Sequence, residues 1–169
     1  MKTLVLWSSR TGNTRKVGEA IYEALPGEKD IMEEGREGDL SSYDLIFVGF
    51  WGYRGGADMV ARRTLGNIHG KKVAIYATAG TYPWSDAAKR YLESAAALLP
   101  EDSECVGKFI SHGRVNSFHT GRRSAHKEQI HPMTPERLER LEEAEKHPNE
   151  EDFRHAAEWA LSIVKEMEQ

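Results

Sequence analysis

The sequence predicts an α/β fold: a parallel sheet of about five strands, doubly wound in the order 2-1-3-4-5, with helices on both faces. Three observations predict it. Apolar runs alternate along the chain with stretches whose apolar residues recur at helical spacing. The runs are apolar throughout rather than at every second residue, as strands covered on both faces require. The first run, Thr3-Leu4-Val5-Leu6-Trp7, passes through the turn Ser8-Ser9-Arg10-Thr11-Gly12-Asn13-Thr14 straight into a helical pattern.

Leu4 to Trp7 reads as the first buried strand. Val17, Ala20, Ile21, Ala24 and Leu25 form the stripe of the first helix, and Pro26-Gly27 stops it. Lys29 to Glu33 is a strand polar enough to lie at an edge. Leu45-Ile46-Phe47-Val48-Gly49-Phe50 is a strong buried strand, and Met59 to Leu65 a short helix. Val73-Ala74-Ile75-Tyr76-Ala77-Thr78 is the next buried strand. Ala87, Ala88, Tyr91, Leu92, Ala95 and Ala96 make a helical stripe ended by Pro100, and Cys105 to Ile110 is the last strand.

Residues Ser111 to Met133 show no periodicity, and loops of this length in compact domains are commonly functional. Thr134-Pro135 sets an N-cap followed by proline at the first helical position, opening a charged surface helix from Glu136 to Lys146. Asn149 caps a final helix with acids in its first turn. Its stripe of Phe153, Ala156, Ala157, Ala160, Ile163, Val164 and Met167 packs on the sheet. A single domain over 1–169 is expected, with the long loop and extra helix at about 111–148.

The chain has 169 residues and a net charge of −4. That length buries a real core, and the mixed charge gives no electrostatic footprint for nucleic acid. No apolar run approaches the roughly 20 residues that span a bilayer, so membrane insertion is not expected. Met1-Lys2-Thr3 enters a strand directly and does not read as a signal peptide. Cys105 is the single cysteine, which excludes an intramolecular disulfide and a cysteine-based zinc site. A reducing, cytoplasmic setting is expected.

Three loops at strand ends carry the candidate chemistry. In the first, Ser8, Ser9, Thr11 and Thr14 offer hydroxyls, Asn13 an amide, and Gly12 a close backbone approach. A helix start adds free N–H groups and a positive dipole end, which suits a phosphate. The nucleotide-triphosphate and dinucleotide fingerprints are absent, and an ordinary polar turn is the alternative. The second loop, Trp51-Gly52-Tyr53-Arg54-Gly55-Gly56-Ala57-Asp58, sets two aromatics among three glycines. The third, Ala79-Gly80-Thr81-Tyr82-Pro83-Trp84-Ser85-Asp86, does so again, with Ser85 or Asp86 read as the next helix cap. Aromatic faces stack on flat rings; covering the core edge is the competing role for Trp51 and Tyr53.

With these residues in place, the chain resembles the flavodoxins. Ser8-Ser9-Arg10-Thr11-Gly12-Asn13-Thr14 is similar to their phosphate loop, and the loops at Trp51 and Tyr82 fall where that family holds the isoalloxazine ring. The likeness in element order covers most of residues 1–112. The end of the chain, His131-Pro132-Met133-Thr134-Pro135-Glu136 through His147-Pro148-Asn149, resembles a branch of small flavodoxin-family proteins, some associated with bilirubin reduction.

The resemblance implies non-covalent FMN. Its implied binding residues are Ser8, Ser9, Arg10, Thr11, Gly12, Asn13 and Thr14, then Trp51, Gly52, Tyr53, Arg54 and Gly55, then Ala79, Gly80, Thr81, Tyr82 and Trp84. Ser8, Thr11, Asn13 and Thr14 would take the phosphate, without a neutralising cation from the loop unless Arg10 or Arg15 folds over it. Trp51, Tyr53, Tyr82 and Trp84 are the candidates to sandwich the ring. Gly52 or Gly55 would let a peptide turn toward N5 of the reduced ring. A cation such as Arg54 near N1 would raise the potential.

The leading functional expectation is an electron carrier serving a partner redox enzyme. The alternatives are an FMN-dependent oxidoreductase acting on a small acceptor such as a quinone or tetrapyrrole, and a flavin-free binding module. No catalytic acid, base or nucleophile is assigned. The segment after the last strand carries His112, Arg114, His119, Arg122, Arg123, His126, Lys127 and His131. Their spacing fits no common zinc pattern, and they read as a basic rim for an anionic substrate or an acidic partner.

Overall fold

The computed structural model describes residues 1–114 and 133–169. Its strands are β1 (Lys2–Trp7), β2 (Glu28–Glu33), β3 (Leu45–Tyr53), β4 (Gly56–Ala57), β5 (Lys72–Ala79) and β6 (Glu104–His112). Its helices are α1 (Asn13–Ala24), α2 (Met59–Gly66), α3 (Asp86–Ala96), α4 (Pro135–Ala144) and α5 (Glu150–Met167). The order β2-β1-β3-β5-β6 is parallel throughout and reproduces the expected winding of five main strands. No described helix is long and apolar enough to cross a membrane.

Each interior strand feeds both faces because successive side chains point opposite ways. Leu4, Leu6, Ile46, Val48, Phe50, Val73 and Ile75 meet Ala61 and Leu65 of α2 and Ala88 and Ala95 of α3. Val5, Leu45, Phe47, Ala74 and Tyr76 meet Val17 and Ile21 of α1 and Ala156, Ala160, Ile163 and Val164 of α5. The apolar runs of the sequence are this double coverage. Polar β2 lies at the edge, as its composition predicts.

Three differences from the sequence reading matter at the site. Trp51 and Tyr53 are not in a loop: they extend β3, which turns back through Arg54-Gly55 to pair with β4. Arg54 and Gly55 have φ of 49° and 78°, the left-handed pair that a two-residue hairpin turn requires. His112 does not belong to a solvated basic loop; β6 runs two residues beyond Ile110, and His112 pairs with Ala79 and is buried. Cys105, expected as a small core residue of a buried strand, is half-buried at the core margin because it lies near the start of an edge strand.

Thr134 caps α4 by accepting from the Arg137 N–H at 3.1 Å, as expected. Asn149 and Asp152 form a reciprocal capping box at the start of α5. α5 then packs along α1, so the C-terminal elements meet the sheet beside the first loop.

Candidate functional site

The winding reverses between β1 and β3, and the carboxyl ends of these strands open the crevice that such sheets use for ligands. α1 starts there from Gly12, whose φ is 96°, and no side chain caps it. Its first-turn N–H groups have no intrahelical acceptors, and the positive end of the dipole lies with them. The Gly12 N–H donates to Ser9 Oγ at 2.9 Å, closing the turn. A Cβ at Gly12 would meet nothing within 4 Å, so glycine is required for its backbone angle rather than for space.

The hydroxyls of the first loop divide into two groups. Ser8 and Thr14 are buried and turned inward. Ser8 Oγ donates to Asp58 Oδ1 at 2.7 Å, and Thr14 Oγ1 lies 2.8 Å from Thr78 Oγ1. Ser9 and Asn13 are half-buried, while Arg10 and Thr11 are exposed. Asn13 Nδ2 donates to the Arg114 carbonyl at 3.3 Å. Arg15 is engaged by Glu19 at 2.9 Å and lies over Trp7, whereas Arg10 lies over the Trp51 ring, 5.8 Å from its centroid.

Trp51 and Tyr53 share one face of β3 and meet edge to face, with centroids 5.5 Å apart. The Arg54 guanidinium lies 5.2 Å from the Tyr53 centroid. A cleft of about 420 Å³ opens between Ser8, Ser9 and Arg10, the end of β2 at Glu33 and Glu34, and the stretch holding Trp51, Tyr53, Asp58, Met59 and Val60. Ala79, Gly80, Thr81, Tyr82 and Trp84 do not line this cleft; Ala79 ends β5 and the others follow it, and β5 pairs with β3 on the side away from β1. Ala79 and Thr81 are buried, and Tyr82 stacks on Trp84 with centroids 4.9 Å apart. Trp84 is 80% exposed. Ser85 caps α3, accepting from the Ala88 N–H at 3.1 Å.

Two buried carboxyl groups, Asp58 and Glu34, line the cleft beside exposed Glu33, and the sequence assigns none of them to the site. Asp58 caps α2 and accepts from Val60 N–H and Ala61 N–H at 3.1 Å, Trp51 N–H at 3.2 Å and Ser8 Oγ. An aspartate directly before a helical run is a cap signal, so Asp58 was findable. Glu34 is 5% exposed, and neither carboxyl oxygen has a hydrogen-bond partner. Burial, then the charges of Asp58 and Glu37, hold its pKa well above the ordinary 4.5. Thr64 acts weakly the other way, and its own hydroxyl hydrogen goes to the Val60 carbonyl at 3.1 Å. A glutamate after a polar edge strand carries no sequence signal of such burial.

His112 lies against the third loop. Its ring meets Tyr82 edge to face at 5.2 Å, and the nearby Gly80 backbone favours its protonated form. His147 stacks on its other side at 5.3 Å. His119, Arg122, Arg123, His126, Lys127 and His131 of the expected basic rim lie outside the described residues.

The pattern that defines the Flavodoxin domain family matches residues 4–160. The chain belongs to the flavodoxin family. It is 32% identical over 174 residues to the flavodoxin-like domain-containing protein BilS of Clostridioides difficile (strain CD3), covering 97% of each chain. The fold recurs in a flavodoxin from the domain Archaea, at 14% identity and a TM-score of 0.54 over the whole of both chains. It recurs also in a flavoprotein from Lactobacillus acidophilus NCFM in complex with FMN, at 19% identity and a TM-score of 0.54, covering 64% of this chain and 92% of that one.

Proposed function

We propose that this chain binds FMN non-covalently and carries electrons to a partner redox protein. The observation that carries the reading is the uncapped start of α1 at Gly12, set at the winding reversal beside two pairs of stacked or edge-packed aromatics. The FMN held by the Lactobacillus acidophilus flavoprotein supports the choice of cofactor.

The first-turn N–H groups of α1, with Ser9, Thr11 and Asn13, suit the phosphate. Ser8 and Thr14 serve this site as ties: their hydroxyls fasten the loop to Asp58 and Thr78. Arg10, which lines the cleft, supplies a cation on that side of the loop. Trp51, Tyr53, Tyr82 and Trp84 provide flat faces for the ring, and backbone groups of residues 51–56 and 79–82 its polar partners. When bound, FMN supplies one- and two-electron chemistry; the chain holds it, limits its solvation and tunes its potential. Arg54, fixed on the hairpin tip, favours a negative charge near the ring and so a higher potential. Exposed Trp84, stacked on Tyr82, offers a partner an aromatic edge. The half-buried free thiol of Cys105 suits the reducing cytoplasm proposed for the protein.

One observation favours a second reading, direct reduction of a small acceptor. The 420 Å³ cleft beside Trp51 has the volume of a small-molecule site. The test is reconstitution with FMN followed by reduction. One FMN per chain is expected, with electrons leaving rapidly only to a protein acceptor. Sustained NAD(P)H turnover with a quinone and no second protein would replace the carrier reading with the enzyme reading. Failure of the folded protein to bind FMN would leave the flavin-free module.

A further inference from the structure

We infer that the stacked His112–His147 pair is a pH-dependent clamp that positions the third loop, Ala79–Tyr82, from the far side of the crevice.

The end of β6 touches two of the three candidate loops at once. The Gly113 N–H donates to the Ala79 carbonyl at 2.8 Å, and a Cβ at Gly113 would come within 3.2 Å of Thr78 Cβ. The Arg114 carbonyl accepts from Asn13 Nδ2 of the first loop at 3.3 Å. His112 reaches the Gly80 backbone and the edge of Tyr82. Whatever fixes His112–Arg114 therefore fixes the relation between the first and third loops.

That fixing comes from the junction of α4 and α5. The Arg114 N–H donates to the His147 carbonyl at 3.0 Å, and the Arg114 side chain pairs with Glu145 at 3.2 Å. The two imidazoles lie nearly parallel, 21° apart, with centroids separated by 5.3 Å. Around His147 stand Glu143 of α4 at 3.0 Å, with Lys146 beside it at 3.3 Å from Glu143. From the start of α5 come Asp152, bonded to Nδ1, and Asn149. From β6 comes His112. Burial and the two carboxyl groups thus decide the charge on His147, burial opposing the proton and Asp152 and Glu143 favouring it.

The charge logic gives the clamp two limits. Burial alone would lower the His147 pKa, but the bonds to Asp152 and Glu143 outweigh it and the net direction is up from 6.5. Below that raised pKa, His147 is an imidazolium held by both carboxyls. Above it the ion pairing is lost and the clamp loosens. His112 is shifted the opposite way, down from 6.5, first by burial and then by the His147 charge. Its Nε2 is buried without a partner. A proton there would add an unpaired charge beside His147, so acid also opens the stack. The loop is best held between the lowered His112 pKa and the raised His147 pKa.

The consequence for FMN rests on the function proposed above; the clamp does not, and the experiment separates them. In the full-length FMN-free protein, backbone amide shifts of Gly80 and Thr81 are followed by NMR together with the ring signals of His147. The amides are expected to move with the His147 midpoint. His147→Gln should abolish that midpoint, and Glu143→Gln, which keeps the ring, should shift it downward in ring and loop alike. In the FMN-loaded protein the dissociation constant should rise about tenfold as pH passes the His147 midpoint, and stay flat in His147→Gln. Loop amides indifferent to the His147 titration, or a loop midpoint unmoved in Glu143→Gln, overturn the clamp. Absence of FMN binding with coupled amides overturns the proposed function and leaves the clamp standing.

Discussion

Ser8 Oγ donates to Asp58 Oδ1 at 2.7 Å, joining the end of β1 to the cap of α2 across 50 positions of sequence. Asp58 Oδ2 also accepts from the Trp51 N–H. One buried carboxyl group therefore holds the first loop, the aromatic end of β3 and the start of α2 in register.

Asp58→Ala removes a helix cap and leaves the Ser8 hydroxyl and the Trp51 N–H without their acceptor. A lost cap costs about 1 kcal/mol, and each buried donor left unpaired adds about 1 kcal/mol or more. A loss near 3 kcal/mol in urea unfolding is expected, with weaker FMN binding because Ser8 and Trp51 lose their tie. Asp58→Asn should fall between the two. A loss below about 0.5 kcal/mol, the scale of surface substitutions, would show that the carboxyl group is not the tie described.

Glu34→Gln should stabilise the protein, and by an amount that depends on pH. The native pKa lies well above that of the unfolded chain. The unfolded state therefore loses its proton first as pH rises, and stability falls by about 1.4 kcal/mol per pH unit between the two pKa values. Below the unfolded value of about 4.5 both states are protonated and the loss is absent. Glutamine has no such loss. The difference in unfolding free energy between variant and parent should thus grow from pH 4.5 upward and level off above the native pKa. A constant difference across that range would mean Glu34 is ionised in the native state.

The fold was legible because its strands are apolar on both faces and its helices carry one stripe each. Those are local patterns, and Leu45–Phe50 or Ala87–Ala96 could be read without tertiary information. The first and third loops were legible for the same reason, since Gly12 marks a backbone turn and Ser85 a cap; the second was not, because β3 runs on through Trp51 and Tyr53 into a hairpin with β4. The supports of the site were not. The groups that act on buried Glu34 include Asp58 and Thr64, 24 and 30 residues downstream, and His147 reaches His112 from the α4–α5 junction. The direction of the Ser8 and Thr14 hydroxyls was also hidden, since Asp58 and Thr78 come from distant elements. In each case the deciding partner is remote in sequence.

Gly52 and Gly55 should separate stability from redox tuning. A Cβ at Gly52 would lie 2.9 Å from Tyr91 Cε1 and 3.0 Å from Ala79 Cβ. Gly52→Ala is an overpacking change costing about 1–3 kcal/mol of stability. Gly55 has φ of 78° and open space around it, so Gly55→Ala brings no clash, only about 1–2 kcal/mol for a left-handed residue. The Gly55 peptide sits at the hairpin tip with room to turn, and Gly55→Ala is expected to move both one-electron potentials of the bound flavin. Unchanged potentials in Gly55→Ala would place the tuning peptide elsewhere.

Trp84→Ala should weaken FMN or partner contact without harming the fold. Trp84 is 80% exposed, and the described structure pairs its ring with Tyr82 alone. Exposed substitutions of this kind change stability by about 0.5 kcal/mol or less. An aromatic stack contributes about 0.5–1.5 kcal/mol beyond area, which corresponds to a loss in affinity of about two- to tenfold. Tyr82 differs because its ring also meets His112, so Tyr82→Ala should lower both affinity and stability. Flavin fluorescence titration and urea unfolding on both variants read the two quantities separately. If Trp84→Ala keeps the parent's FMN affinity yet slows electron delivery to a protein acceptor, its ring serves the partner rather than the cofactor. If neither quantity moves, the exposed stack has no part in the site.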